Sequence, residues 1–146
     1  MTGPTPFTPE TALDPGETVL AQFPSDRATY WREHAWMAAM AMAFGMLVLA
    51  VIGNPFIWTG AVGGLFAIAV RGLYLASDET KMRWDLTDRR MLGPGTRVIA
   101  LDNIAAVNTI FSAVQLVTVT GDKHLLKYQA DARAVKAEID AARGRT

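Results

Sequence analysis

Two long apolar runs, residues 35–52 and 56–76, constrain the fold of this chain more than any other feature. The first run, AWMAAMAMAFGMLVLAVI, has 18 residues and no charge. As a helix rising about 1.5 Å per residue it would span roughly 27 Å, close to the hydrocarbon thickness of a bilayer. The second run carries one charge, Arg71, near enough to its end for the side chain to reach the headgroups. GNP at 53–55 favours a tight turn. The sequence therefore predicts a transmembrane helical hairpin over residues 35–76.

A buried helical hairpin in a water-soluble protein is the alternative interpretation. Two features count against it. Neither run has a polar face, so each predicted helix is apolar all round. Aromatic residues also lie near the predicted helix ends, as in the aromatic belts of membrane proteins. The residues expected at the membrane interface are Trp31, Trp36, Trp58, Arg71 and Tyr74.

Small residues recur one helical turn apart in both runs. Gly60 and Gly64 form a GxxxG pattern with Ala67 one turn further, and Ala39 and Ala43 offer a matching stripe on the first helix. Small residues let membrane helices approach closely. The stripes predict helix packing, either inside this hairpin or against a helix of another protein.

The distribution of charge predicts the orientation of the hairpin. The GNP turn has no Lys or Arg, whereas basic residues flank the other ends of both runs. The positive-inside rule therefore predicts a multi-pass protein of a bacterial inner membrane with both termini in the cytoplasm. The flanking residues are Arg27, Arg32, Arg71, Lys81 and Arg83.

Composition excludes several function classes. The formal net charge is zero and the basic residues do not mass into one long face, so nucleic acid is not an expected partner. The chain has no cysteine, which excludes disulfides, thiol catalysis and cysteine-ligated metal centres.

The remaining sequence predicts a small β-rich domain. Residues 1–12 have three prolines and predict a mobile tail, and residues 13–34 predict a leader strand followed by the start of an interfacial helix. Short β-branched segments separated by turns predict antiparallel strands from residue 77 onward, including a two-residue type II′ turn at Gly121-Asp122. Residues 131–143 predict an amphipathic helix that Asp131 caps.

Three stretches and their order around the apolar runs resemble the bacterial pleckstrin-homology-like (PH-like) membrane proteins. LDPGETVLAQFPS is similar to the leader of that family, WDLTDRRML to its first β-hairpin and IALDNIAAV to the strand that follows, and DARAVKAEI matches its terminal helix. The resemblance implies an α+β membrane protein: a transmembrane hairpin, then a small antiparallel sheet or partial barrel in the cytoplasm over residues 77–146, closed by a C-terminal helix. One departure is that only FSA precedes VQLVTVT, where the family has a longer connection, so the sheet is expected to lack a strand or form an incomplete barrel.

No catalytic, cofactor or metal site is predicted. A hydrolase triad needs a nucleophile, a base and an orienting group, and nothing places a serine beside either histidine, His34 or His124. A single histidine near the apolar helices is a poor set of ligands for haem or a metal. We therefore expect no enzyme and no small-molecule substrate.

A group of basic residues around the predicted first hairpin is the best candidate for a functional surface. Under a membrane such side chains would face anionic headgroups, each contributing about 1 kcal/mol. The alternative is ordinary juxtamembrane charge, partly cancelled by neighbouring acids. The group consists of Lys81, Arg83, Arg89, Arg90 and Arg97.

Two functions follow as hypotheses. In the first, the PH-like domain is a protein-interaction module, and the chain is an accessory subunit or assembly factor bound to another integral membrane protein or complex. In the second, the domain binds anionic membrane lipids through the basic group. The resemblance favours a binding or scaffolding role over an enzymatic one.

Overall fold

The structure, a computed structural model, describes residues 7–144 of the 146-residue chain. The chain divides into two compact units. One is a helical hairpin formed by Ala28–Ser77, and the other, called the sheet domain below, combines the segment up to Arg27 with the segment from Asp78 onward. The hairpin is thus inserted into the sequence of the sheet domain. The α+β class predicted from the sequence is confirmed.

The hairpin consists of α1, Arg27–Val51, and α2, Trp58–Glu79. Both helices extend beyond the predicted runs on the side away from the connecting turn. Their most apolar 18-residue windows have mean hydropathies of 1.8 and 1.5, so both are long and apolar enough to cross a membrane. Only 11% and 6% of those windows are buried. A core helix of a soluble protein would be mostly buried, so this exposure counts against the soluble alternative.

The predicted GNP turn lies between the helices, although the connection is longer than three residues. Gly53, with φ +77°, ends α1 in the left-handed conformation. The amide of Gly53 donates to the Ala50 carbonyl at 3.1 Å, and that of Asn54 to the Leu49 carbonyl at 2.9 Å, which satisfies carbonyls left open at the helix end. The Asn54 side chain then accepts the Phe56 amide at 2.8 Å, ahead of α2.

The first sheet of the sheet domain joins the two segments that the hairpin separates. Its strands are antiparallel and follow one another in sequence order. The leader strand pairs with the strand that follows the hairpin, and Phe23 lies opposite Trp84. The strands are β1, Val19–Pro24; β2, Arg83–Thr87; β3, Arg90–Leu92; and β4, Val98–Ala100.

A single 3₁₀ turn, Leu101–Asn103, leads into a second antiparallel sheet of β5, Ile104–Ile110; β6, Ala113–Thr118; and β7, Lys123–Leu126. The closing helix α3, Ala132–Arg143, packs on β5 and β6. The predicted cap is confirmed, because the Asp131 side chain accepts the Ala134 amide at 3.1 Å.

The core of the sheet domain lies between the two sheets and α3. Apolar residues on alternate strand positions and on one face of α3 are buried together, as period-two and helical patterns require. Gly93 accommodates the Trp84 indole, since a Cβ at Gly93 would lie 2.7 Å from the ring. The core contains Phe23, Trp84, Leu86, Met91, Ile99, Leu101, Ile104, Val107, Val114, Leu116, Leu126, Ala132, Val135, Ile139 and Ala142.

Two connections in the second sheet were singled out in the sequence. The short FSA connection contains a two-residue turn, Phe111 and Ser112, with Ile110 paired to Ala113, so it joins two adjacent strands. The turn predicted at Gly121-Asp122 as a two-residue type II′ turn is instead a longer one that follows Thr118. The Thr118 hydroxyl accepts the Asp122 amide at 3.1 Å and so holds the wider loop, with Gly121 left-handed at φ +93°.

Residues 7–10, assigned from the sequence to a mobile tail, contact the sheet domain. The Phe7 carbonyl accepts the Arg83 amide at 2.9 Å, and the Glu10 amide donates to the Gly95 carbonyl at 2.9 Å. Residues 1–6, the rest of that predicted tail, lie outside the described residues.

Candidate functional site

Arg90, predicted to contact lipid or a partner, is instead bound by the leader segment. Its Nε donates to Glu17 Oε2 at 2.9 Å and its Nη2 to Glu17 Oε1 at 2.8 Å, a two-pronged ion pair. A further bond runs from Nη2 to the Ala12 carbonyl at 2.8 Å. The Glu17 side chain has no exposed surface and that of Arg90 is 17% exposed. Arg90 is therefore part of the fold and does not present its charge to a headgroup.

Two further groups complete the surroundings of Glu17. The Thr87 hydroxyl donates to Glu17 Oε2 at 2.6 Å, and the Asp14 amide donates to Oε1 at 2.8 Å. The hydrogen bond from Arg90 is the largest influence on this carboxyl, and with Thr87 and Asp14 it outweighs burial and lowers the pKa of Glu17 to about 2. The same pairing raises the pKa of Arg90.

This arrangement unites two motifs that were identified separately in the sequence. Glu17 ends the LDPGE turn, in which Gly16 has φ +79°, and Arg90 belongs to the TDRR stretch. Arg89 approaches the same turn, with Nη2 3.3 Å from the Pro15 carbonyl. The pairing was missed because nothing in one sequence shows that these segments meet.

Arg83 is also neutralised within the sheet domain. Its Nε donates to Asp85 Oδ1 at 2.8 Å and its Nη2 to Asp85 Oδ2 at 3.2 Å. Asp85 is buried, so the pair positions both side chains on β2. Of the predicted basic group, Arg83 and Arg90 therefore have internal partners.

The other members of the group are more accessible. Lys81 is exposed, and its Nζ lies 6.0 Å from the centre of the Phe7 ring, at the outer limit of a cation–π contact. Arg97 is exposed, and among residues 7–144 neither Lys81 nor Arg97 forms an ion pair. The cationic surface that remains is smaller than the sequence indicates.

Arg97 lines a cleft of about 190 Å³ in the sheet domain. Phe23 and Trp84 contribute apolar walls, and Lys127 supplies a second cation. The Lys127 Nζ lies 3.7 Å from a Glu79 carboxylate oxygen, so part of this positive charge is balanced. The cleft offers a mixed apolar and cationic surface.

The predicted helix-packing residues separate into two groups in the hairpin. Gly60 faces Gly45 so closely that a Cβ at Gly45 would lie 2.9 Å from the Gly60 carbonyl carbon. Gly64 faces Ala41, and a Cβ at Gly64 would lie 2.6 Å from the Ala41 carbonyl carbon. Gly60 and Gly64 thus pack inside the hairpin, as one interpretation of the sequence proposed.

On α1, the structure favours the second interpretation for Ala39 and Ala43, because other residues make the contact inside the hairpin. Ala41 and Gly45 provide it, while Ala39, Ala43 and Ala67 are exposed. Because each residue turns a helix by about 100°, a shift of two positions moves a side chain to a different face. Helical spacing predicted that a stripe of small residues exists on α1, but not which of its two stripes faces α2.

The predicted interface residues are mostly on the outside of the hairpin. Trp36, Trp58 and Tyr74 are 69%, 63% and 79% exposed, and Arg71 is exposed as well. Trp31 differs, because it is partly buried, with its ring centre 5.2 Å from that of Tyr30.

Tyr30 lies at the centre of a small polar cluster that was not predicted from the sequence. Its hydroxyl donates to the Gly72 carbonyl at 2.7 Å, and its carbonyl lies 2.9 Å from His34 Nδ1. A Cβ at Gly72 would lie 3.1 Å from both His34 and Trp31, so the glycine permits this packing. His34 therefore has a packing role between α1 and α2.

Across the described part of the chain, no group of three or more His, Asp or Glu side chains is arranged to hold a metal ion. His124 is distant in sequence from His34 and packs edge-on against Trp84, with ring centres 6.1 Å apart.

Comparisons of the chain with protein-family models, with curated proteins and with solved structures give no match, so its function is argued from its own geometry.

Proposed function

We propose that this chain is a non-enzymatic protein of a bacterial inner membrane, with α1 and α2 spanning the bilayer and both termini in the cytoplasm. Its sheet domain is a PH-like protein-interaction module, and the chain acts as an accessory subunit or assembly factor of a larger membrane complex. The length, hydropathy and exposure of the two helices support the membrane assignment. Two antiparallel sheets closed by α3 agree with the fold that the PH-like resemblance implies.

The observation that carries the partner proposal is a second stripe of small residues on each helix. After the hairpin has closed, Ala39 and Ala43 remain exposed on α1, and Gly63 and Ala67 on α2. A Cβ at Gly63 would meet no atom within 4 Å. At about 100° per residue, the α2 stripe lies beside the packed face of its helix, whereas the α1 stripe lies on the far side of α1 from α2. Either stripe would let another helix approach closely.

Co-purification of the full-length chain from its native membrane in several mild detergents tests this proposal. We expect one discrete membrane protein to accompany the wild type and to be lost with Gly63→Leu, which fills the exposed stripe. The matched control is Val62→Phe, which adds similar bulk at a residue that is 57% exposed on another face. Recovery of the chain alone in every detergent, or retention of the partner by Gly63→Leu, would overturn the proposal.

The anionic-lipid alternative keeps one supporting observation, the cleft that Arg97 and Lys127 line. Its test needs the full chain, because a fragment that starts at residue 77 lacks β1 and would uncover Trp84, the partner of Phe23. In nanodiscs, this alternative requires a higher unfolding midpoint of the sheet domain in anionic than in neutral lipid. The difference should shrink at high salt and with Arg97→Gln, but not with Arg133→Gln on the exposed face of α3. Equal midpoints in the two lipids exclude it.

A further inference from the structure

Phe111 occupies an unusual place in the sheet domain. It is the first residue of the two-residue turn between β5 and β6, with φ +55°, and it is 94% exposed. The preceding residue, Ile110, is 43% exposed. The tip of this hairpin is therefore an apolar projection.

Neither the conformation nor the exposure of Phe111 stabilises the fold. A left-handed backbone costs a residue with a side chain about 1–2 kcal/mol, which is why turns of this kind favour glycine, asparagine or aspartate. A side chain that is 94% exposed recovers almost none of this cost through burial.

Hydrogen bonds locate this turn within the sheet domain. Ser112, the second residue of the turn, accepts the Gln129 amide on its carbonyl at 2.9 Å. The neighbouring Tyr128 carbonyl accepts the Asp26 amide at 2.6 Å, and Asp26 immediately precedes α1. The turn therefore lies at the end of the sheet domain from which α1 departs.

The segment from which α2 enters the sheet domain is at this end as well. The Ser25 hydroxyl donates to the Lys127 carbonyl at 3.2 Å, and the Lys127 Nζ lies 3.7 Å from Glu79, the last residue of α2. The turn after Thr118 is at the other end of β6, about 20 Å away for a strand of this length.

We propose that Phe111 inserts into the interfacial layer of the bilayer that α1 and α2 span, as a third point of membrane attachment. The inference rests on the proposed membrane-spanning role of the hairpin. Phenylalanine and isoleucine side chains gain free energy on leaving water for the acyl boundary. The two helices hold the sheet domain at the bilayer, so a single aromatic side chain suffices where an untethered domain would need several.

The absence of cysteine from the chain makes a direct test possible, because one introduced thiol carries one label. The full-length variants Phe111→Cys, Val119→Cys and Phe66→Cys are each labelled with an environment-sensitive fluorophore and reconstituted in phosphatidylcholine vesicles. The emission wavelength is measured, and then the quenching of the emission by iodide in the aqueous phase and by lipids that carry a nitroxide at headgroup or at acyl depth. Val119 is the matched control, an apolar residue 64% exposed in the turn at the other end of β6. Phe66, 69% exposed on α2, reports insertion of the hairpin.

We expect the label at residue 111 to emit at shorter wavelength than the label at 119, with several-fold stronger quenching by headgroup-depth nitroxide and several-fold weaker quenching by iodide. If the label at 66 is quenched by acyl-depth nitroxide while 111 behaves like 119, the inference is overturned and the membrane-spanning role stands. If the label at residue 66 is also exposed to water, both the inference and the membrane-spanning role are overturned. A label at 111 that is shielded from iodide and yet unaffected by lipid nitroxides identifies a protein contact, including a second copy, and overturns the inference.

Discussion

Glu17 and Arg90 are 73 positions apart, and their ion pair holds the leader segment to the first hairpin of the sheet domain. A buried charge that loses its partner is costly, because the remaining group is neither solvated nor neutralised. Here Glu17 has both carboxylate oxygens occupied by donors from three residues, so the charge is well compensated. The basic residue that first suggests lipid binding is therefore a structural one.

Glu17→Gln should lower the free energy of unfolding by about 1–3 kcal/mol at pH 7, because Arg90 loses its anionic partner. The pKa of Glu17 is lowered from 4.5 to about 2 in the folded chain, so its stabilisation is complete above pH 4.5 and is lost as pH falls through that interval. Thermal unfolding of the full chain from pH 7 to pH 3 checks both effects. The wild-type advantage over Glu17→Gln should shrink with acid, whereas Glu138→Gln on α3 should follow the wild type. A constant difference across the pH range contradicts this assignment.

At Phe111 we expect a substitution to stabilise the fold, in contrast to Glu17→Gln. Phe111→Asn should raise the free energy of unfolding by about 0.5–1 kcal/mol in detergent, because asparagine tolerates φ +55° better and an exposed ring loses no burial. The unfolding midpoint of the sheet domain measures this change. Val119→Asn, at an exposed turn residue whose φ is not positive, is the control and should give no comparable gain. A destabilised Phe111→Asn would indicate that the ring contributes contacts to the fold.

At the scale of elements, the helical hairpin was largely predictable and its internal contact was not. Hydropathy and the GNP turn identified two helices and their connection, because length and composition alone decide whether a segment can span a bilayer. The choice of Ala41 and Gly45 over Ala39 and Ala43 depends on the rotation of α1 about its axis, which the sequence leaves open. Tyr30 and His34 were missed for the same reason, since their partner Gly72 lies on the other helix.

Gly64→Ala should force α1 and α2 apart, because the Cβ of the alanine would overlap the Ala41 backbone. The free energy of unfolding of the hairpin should fall by about 1–3 kcal/mol. Gly63→Ala is the matched control on the adjacent position, where the added methyl meets no atom within 4 Å. Distances between paired spin labels on α1 and α2 should increase for Gly64→Ala only. Equal behaviour of the two variants would contradict the observed helix contact.

At the scale of the whole chain, the sequence predicted the order of elements but not which strands pair. Residues 13–34 were expected to contain a leader strand, and β1 lies there as the edge strand of the first sheet. Phe23 pairs with Trp84 across an insertion of the entire hairpin, and no local pattern encodes such a distant partner. The closing helix was predictable in full, because its cap and its apolar stripe are local features.

The insertion also means that both connections to the hairpin must lie on one side of any membrane it crosses. Two helices joined by a short loop return the chain to its starting side, so β1 and β2 can pair only if the leader and the later strands share a compartment. The positive charges that flank the hairpin predict that this compartment is the cytoplasm.

Single cysteines at residue 55, in the loop between the helices, and at residue 133, on the exposed face of α3, test this topology. We expect a membrane-impermeant maleimide to label Pro55→Cys but not Arg133→Cys in spheroplasts, because the loop would face outward and the sheet domain inward. Inverted vesicles should show the reverse pattern, and detergent lysis should expose both sites. Labelling of residue 133 alone in spheroplasts would show that the hairpin has the opposite orientation, with the sheet domain outside. Labelling of both residues from one side of sealed vesicles would show that the hairpin does not cross the bilayer, even though the sheet domain remains folded around β1 and β2.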